Sequence, residues 1–239
     1  MNTVIEKFIG LQKEILSNFA LKCDREKSNT SFREDVQKYF CLENKFGWNI
    51  MLNSYYVIND TELAKTSFNK FGLQGPSRYT DIGERYLRLY GLLNSIYQQK
   101  IAVENLIEIF KLPNPKELTE NLKQSEVILL RNKIASHPSN YSIIKENSEH
   151  KFDVYEIVRA DLQSDKITLL RNQNDFEYYD LPKSIKASDN ILEEILDKIT
   201  SKIIKKIFNN NGKYYDELVK INLIRDGFMI IGNSIIKFD

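Results

Sequence analysis

The chain has 239 residues, 42% hydrophobic and 28% charged, a balance typical of a globular protein with a sizeable core. Its formal net charge of +1 excludes attraction to nucleic acid or membrane by global charge, although a local basic patch stays open. Two cysteines exclude a disulfide framework, and no apolar run of about eighteen residues predicts a membrane span. The charged N-terminus predicts no signal peptide, and we expect a cytoplasmic protein. We also expect a single domain over residues 1–239.

Apolar residues recur at helical spacing through most of the first half of the chain. They predict helices over about Thr3–Leu21, about Phe32–Ile58 with an interruption near Gly47, Asp60–Gly72 and about Thr80–Leu112. In the third of these, Asp60 is a candidate N-cap and Gly72 a candidate C-cap. Pro115 begins another helix, and SEVILLRNKIAS continues as a short helix that ends before Pro138.

The pattern changes in the second half. From about 152 to 181, β-branched and aromatic residues alternate in short runs between polar turns, which predicts two or three antiparallel strands. Tyr178 and Tyr179 would then point to opposite faces of a strand. A long helix follows with Asp189 at its start, and the last residues predict a small hairpin turning at Gly232–Asn233. The predicted fold is mainly α, an antiparallel helical bundle with a small antiparallel β-insert before its last long helix.

Sequence motifs of several common enzyme classes are absent. The chain contains no GxxxxGK[ST], no GxGxxG and no GxSxG. Its two histidines and its two separated cysteines, Cys23 and Cys41, offer too few soft ligands for a zinc site. We therefore expect neither a bound metal nor a cofactor.

The stretch LLRNKIASHPSNY contains one of the two histidines, His137, six residues after Arg131. On one continuous helix, residues six apart point about 120° away from each other, so these side chains would diverge. Pro138 disfavours the helical conformation for the residue before it, which predicts His137 at or beyond the helix C-terminus. There, an arginine that binds phosphate as a fork and a histidine that transfers protons would form a minimal set for phosphodiester chemistry without metal.

An ordinary helix end explains the same residues without catalysis. A histidine before a proline often caps the last carbonyl groups of a helix. An arginine after two leucines often packs its stem and pairs at the surface. From the residues alone, both interpretations stay open.

The segment LLRNKIASHP resembles the HEPN motif, R-x(4–6)-H, with Arg131 as its Arg and His137 as its His. Asn132 fits the polar residue that the family favours after the Arg. The long helix before the motif also resembles that of bacterial HEPN-like proteins, so that the resemblance covers about Tyr79–Tyr141. The β-insert is an addition that the basic HEPN bundle does not require.

The resemblance implies a metal-independent endoribonuclease acting as a homodimer, with the motif helices of two subunits meeting in one cleft. His137 would be the general base or acid, Arg131 would stabilise charge on the phosphate, and Asn132 would orient the site. The RNA product would end in a 2′,3′-cyclic phosphate. The expected setting is a toxin–antitoxin or anti-phage defence system, with an antitoxin or another defence protein as partner.

Three neighbours of the motif, Lys133, Ser136 and Tyr141, are candidates for substrate binding because they lie close to it in sequence. A dimer cleft would also concentrate Lys133 and Arg131 of both chains into a positive groove. Two alternatives remain at this point. Some HEPN-like proteins are non-catalytic scaffolds or partner-binding modules, and a helical scaffold can match so short a motif by accident.

Overall fold

The structure is a computed structural model that describes residues 3–23, 31–76, 81–136, 141–144, 150–162, 165–209, 212–231 and 234–237. Within these ranges the chain is mainly helical, as predicted. The α-helices are α1 (Val4–Cys23), α2 (Ser31–Tyr39), α3 (Gly47–Phe71), α4 (Ile82–Ile109), α5 (Pro115–Lys123), α6 (Glu126–Arg131), α7 (Leu181–Phe208) and α8 (Gly212–Arg225). A π-helical turn, Asn132–Ser136, follows α6 directly.

The described strands are β1 (Tyr141–Ile144), β2 (His150–Asp153), β3 (Tyr155–Ile157), β4 (Lys166–Arg171), β5 (Asp175–Asp180), β6 (Phe228–Ile231) and β7 (Ser234–Lys237). All of them pair antiparallel: β1 with β2, β3 and β5 on either side of β4, and β6 with β7. The predicted β-insert and C-terminal hairpin are thus confirmed, while the hairpin turn at Gly232–Asn233 lies outside the described residues.

The backbone contacts divide the chain into two compact units. The first comprises Met1–Glu62, Ile101–Thr119 and Ile191–Asp239, and the second comprises Leu63–Lys100 and Glu120–Asn190. The second unit contains α6, the π-turn and strands β1 to β5. That residues 1–239 form one domain stays a prediction.

In the first unit, α1 begins with a capping box. The Glu6 amide donates a hydrogen bond to Thr3 Oγ1 at 3.2 Å, and the Thr3 amide donates to the Glu6 carboxylate at 2.7 Å. The buried Gln12 donates through Nε2 to Thr200 Oγ1 at 2.8 Å and to the Leu196 carbonyl at 3.3 Å, both on α7. These bonds satisfy amide donors that burial removes from water.

In the second unit, one apolar cluster joins α4, α6 and the three-stranded sheet. Its fully buried members include Leu89, Leu93, Val127, Leu130, Ile167 and Leu169. Because β4 is the middle strand, its residues Ile167 and Leu169 anchor the sheet in this core. The short helix α6 is therefore held by its apolar side chains, and its last residue comes to the edge of the core.

Helix α3 is longer than predicted. It runs without interruption over Gly47–Phe71, so the predicted helix start at Asp60 is wrong. Burial continues at helical spacing past this point through polar residues, among them Thr61 and Lys65. Lys65 is stabilised by an ion pair with Asp189, with Nζ and Oδ1 2.5 Å apart. A buried stripe built partly from polar side chains gives a weak apolar signal in the sequence.

Two predicted helix boundaries are confirmed. Gly72 follows the end of α3 with a φ of +60°, and its amide donates to the Phe68 carbonyl at 2.6 Å. Pro115 is the first residue of α5. Both residues act through their own backbone geometry, which needs no distant partner.

The last long helix, α7, begins earlier than predicted, at Leu181 and not near Asp189. Asp180 caps it, because its Oδ1 accepts a hydrogen bond from the Lys183 amide at 3.1 Å. Pro182 suits the first turn, where no amide donor is needed. Helix α8, Gly212–Arg225, was not predicted at all.

Candidate active site

Arg131 is the last residue of α6, whose Val127, Ile128 and Leu130 are buried. With those side chains in the core, Arg131 lies half-buried at its edge. Tyr97 of α4 packs partly buried against the same core. Because the apolar side chains of this six-residue helix are buried in the core, its last residue, Arg131, is placed against the face of the Tyr97 ring.

The guanidinium of Arg131 lies over the Tyr97 ring, with Cζ 3.9 Å from the ring centroid. Its Nη1 donates to Asn132 Oδ1 at 3.2 Å, and its buried Nε has no hydrogen-bond partner among the described residues. Lys100 places a second cation 5.4 Å from the same ring centroid. The ring therefore holds one face of the guanidinium at the edge of the core, and a guanidinium binds a carboxylate or phosphate through its N–H groups.

The motif continues into the π-turn Asn132–Ser136. A π-turn inserts one residue into the helical register, and such turns are frequent at functional sites. Ile134 is buried and fixes the turn to the core, whereas Asn132, Lys133 and Ser136 are half-buried. The stretch is helical as predicted, but its side chains follow a wider register than that of an α-helix.

Lys133 faces the three-stranded sheet. Its Nζ donates to Glu177 Oε2 at 2.6 Å and to the Tyr179 hydroxyl at 2.9 Å, and it lies 4.8 Å from the centroid of the Tyr155 ring. Tyr179 donates its own hydroxyl proton to Glu177 Oε2 at 2.6 Å. The ammonium is therefore paired within its own unit, and a contact between Lys133 and RNA stays a prediction.

This cluster shifts the titration of its members. Burial raises the pKa of Glu177, but hydrogen bonds from Lys133 and Tyr179 outweigh burial and hold that pKa below its ordinary value. Burial likewise lowers the pKa of Lys133, and the bonds to Glu177 and Tyr179 reverse the shift and raise it. Burial, together with the bond to Glu177, raises the pKa of Tyr179 to about 12. The lysine and the glutamate are therefore both charged at neutral pH.

The remaining predicted residues are placed as follows. Ser136 closes the π-turn, and Tyr141 opens β1 opposite Asp153 of β2. His137 lies outside the described residues, so its position relative to Arg131 stays a prediction. The structure thus brings Arg131 and Asn132 into contact with each other.

Sequence analysis does not predict that Tyr97, Lys100, Glu177 or Tyr179 contacts the motif. Tyr97 and Lys100 are three apart on α4 and share a face, but every exposed helix face has that spacing. Glu177 and Tyr179 alternate along β5 and also share a face. Neither pattern says which distant residue lies opposite, so no local signal identifies these partners.

The Glu177 carboxylate predicts a measurable pH effect. Because its pKa is lower in the folded than in the unfolded protein, its contribution to stability is complete above the ordinary value of 4.5 and is lost as the pH falls below it. We expect Glu177→Gln to be less stable than wild type at pH 7, with a difference that shrinks toward about pH 3. Urea unfolding followed by circular dichroism across this range measures it.

Glu156→Gln is the matched control, because Glu156 is exposed on the neighbouring strand β3. We expect the control to differ little from wild type at pH 7. A difference between wild type and Glu177→Gln that stays constant or grows on acidification would contradict an ionised, hydrogen-bonded Glu177.

Two further features concern the described part of the chain alone. In it, no group of three or more His, Cys, Asp or Glu residues is arranged to hold a metal ion. None of the described helices combines the length and the apolar character needed to cross a bilayer.

Comparisons with known proteins assign the chain to no family. No protein-family model matches the chain, and no solved structure matches it. A glutamyl-tRNA reductase from Sulfolobus acidocaldarius is 26% identical over 200 residues, which cover 80% of this chain and 43% of that enzyme. The chain thus spans less than half the length of this curated relative, and a likeness at this level assigns it to no family.

Proposed function

We propose that this chain is a metal-independent endoribonuclease of the HEPN type. The observation that supports this best is the position of Arg131: its guanidinium lies over the Tyr97 ring, bonds to Asn132 and is only half-buried at the edge of the core. A phosphodiester oxygen is an acceptor of matching charge and geometry. The π-turn leads from this arginine to His137, the histidine of the motif.

The proposed reaction is an internal transesterification. The ribose 2′-oxygen forms a bond to phosphorus while the bond from phosphorus to the 5′-oxygen breaks, which leaves a 2′,3′-cyclic phosphate and a free 5′-hydroxyl. His137 takes the proton of the 2′-hydroxyl or supplies one to the leaving 5′-oxygen. Arg131 stabilises the negative charge that grows on the phosphate oxygens.

The proposal includes a homodimer in which the motif helices of two subunits form one cleft. With a net charge of +1, the chain offers little global attraction to RNA, so local cations have to supply it. Arg131, half-buried at the edge of the core, would supply one such cation from each subunit. Analytical ultracentrifugation tests the dimer separately from the chemistry.

The direct experiment incubates the purified chain with total RNA in the presence of a chelator. We expect cleavage by wild type, and loss of cleavage in Arg131→Ala and in His137→Ala. The new 3′ ends should carry a cyclic phosphate, a diester that resists a phosphomonoesterase until acid opens the ring. Identical RNA patterns for wild type and both variants would contradict the proposal.

The proposed setting is a cytoplasmic toxin or anti-phage effector held in check by an antitoxin or defence partner. Expression of wild type should then arrest growth, and His137→Ala should relieve the arrest. Equal growth arrest by wild type and His137→Ala would show that the toxicity does not depend on RNA cleavage by His137.

A second candidate is a non-catalytic HEPN-like module that binds a protein partner. The ion pair between Lys133 and Glu177 favours it, because this pair removes one of the motif's cations from the reach of an RNA phosphate. A dimer that fails to cleave RNA while co-purifying with one defined partner would support this candidate.

A further inference from the structure

Strand β5 presents two different faces. Tyr178 and Phe176 point outward, with Tyr178 74% exposed, whereas Tyr179 is 9% exposed on the inward face. Glu177 shares the inward face with Tyr179, since residues two apart in a strand lie on the same side. The predicted opposition of Tyr178 and Tyr179 is confirmed, and the inward face is the one that Lys133 contacts.

The inward face surrounds the Lys133 ammonium. Two of its N–H groups are used by Glu177 and Tyr179, and the Tyr155 ring lies beside it. The Lys133 side chain is only 15% exposed. An ammonium in this environment has little capacity left for a phosphate, because two of its three donors are committed and the side chain is largely buried.

Glu177 is itself held by the sheet. Its Oε1 lies 3.7 Å from Nη1 of Arg171 on the middle strand β4, and Arg171 Nη2 pairs with Asp175 at 2.8 Å. Since β4 is fixed in the core through Leu169, the carboxylate belongs to a rigid element. A π-turn is a rare departure from the α-helical hydrogen-bond register, so contacts from a rigid neighbouring element help to hold it.

We propose that Glu177 and Tyr179 are positioning residues of the candidate active site, which hold the π-turn through Lys133 and so keep Asn132 oriented on Arg131. Lys133 is then a positioning residue too and not an RNA ligand. An effect of these residues on catalysis rests on the proposed function. Their anchoring of the π-turn does not, because it is a property of the folded chain. The β-insert in this arrangement is a support for the motif.

Hydrogen exchange tests the anchor without any RNA. In Glu177→Gln and in Tyr179→Phe, we expect the amides of Asn132–Ser136 to exchange about tenfold faster than in wild type, with exchange in α7 unchanged. Tyr178→Phe is the matched control, because Tyr178 lies on the same strand but points outward and is 74% exposed. Unchanged exchange in the π-turn of both variants would overturn the inference.

Cleavage kinetics distinguish positioning from substrate binding. We expect Glu177→Gln, Lys133→Met and the double variant to show the same loss, about tenfold in kcat with KM unchanged, because all three release one anchor. If Lys133 instead binds RNA, Lys133→Met would raise KM and Glu177→Gln would tighten RNA binding by freeing the ammonium, which would overturn the inference. If wild type cleaves no RNA while Glu177→Gln and Tyr179→Phe still speed exchange in the π-turn, the proposed nuclease function is refuted. The anchoring of the π-turn by Glu177 and Tyr179 is then supported on its own.

Discussion

Arg131→Lys is expected to lower kcat for RNA cleavage by about a hundredfold, although it keeps the positive charge. The reason is the geometry of the guanidinium, which lies over the Tyr97 ring and bonds to Asn132 through Nη1. A lysine is a compact point charge that neither stacks in this way nor forms a planar fork. Single-turnover cleavage of a labelled RNA in the presence of a chelator measures the effect.

Arg159→Lys is the matched control for this substitution. Arg159 is exposed at the start of the short 3-10 turn Arg159–Asp161 in the same unit, and we expect wild-type cleavage from it. If Arg131→Lys also cleaved at the wild-type rate, charge alone would be sufficient. The stacked geometry on Tyr97 would then have no part in catalysis.

Leu130→Ala is expected to lower the free energy of unfolding by about 2–5 kcal/mol. Leu130 is 0% exposed in the cluster that joins α6 to α4 and the sheet, so removing its methyl groups leaves a cavity that close-packed neighbours fill only in part. The neighbouring Arg131 depends on α6 for its position, and cleavage should therefore fall as well. Chemical unfolding followed by circular dichroism gives the stability change.

Leu87→Ala is the corresponding control. Leu87 lies on α4 in the same unit but is 68% exposed, so the same substitution should change the free energy of unfolding by no more than about 0.5 kcal/mol. Equal losses for the two variants would contradict the placement of Leu130 in the core. The comparison holds the chemical change constant and varies only burial.

Sequence patterns predict the helices best where the signal is local. The glycine at 72 and the proline at 115 act through neighbouring backbone groups, and the apolar spacing from about Thr3 is equally local; each boundary is found where it is predicted or within a residue of it. The strand alternation between residues 152 and 181 is equally local and predicts β3, β4 and β5. Period and capping together give the mainly α fold with its small β-insert.

The boundaries at Asp60 and Asp189 were predicted wrongly for the opposite reason. Each aspartate resembles an N-cap, yet each lies inside a longer helix. Burial of Lys65 against Asp189 extends the buried side of α3 with polar residues, and no sequence period shows that such a pair will form. Tertiary packing overrides a local capping preference worth about 1 kcal/mol.

The sequence by itself determined the candidate motif, from Arg131 to His137, and the helical context that precedes it. It also determined that Tyr178 and Tyr179 face opposite ways, because strand alternation is a property of the backbone. These features depend on residues a few positions apart. They can be read from spacing alone.

Only the tertiary structure decided what the motif touches. Tyr97 under the Arg131 guanidinium, and Glu177 with Tyr179 around the Lys133 ammonium, are partners that lie far away in the chain. A polar side chain binds whichever partner the packed core brings within about 3 Å, and that choice depends on how helices and strands meet in space. The sequence therefore predicts the candidate residues, while the fold determines which partners each of them contacts.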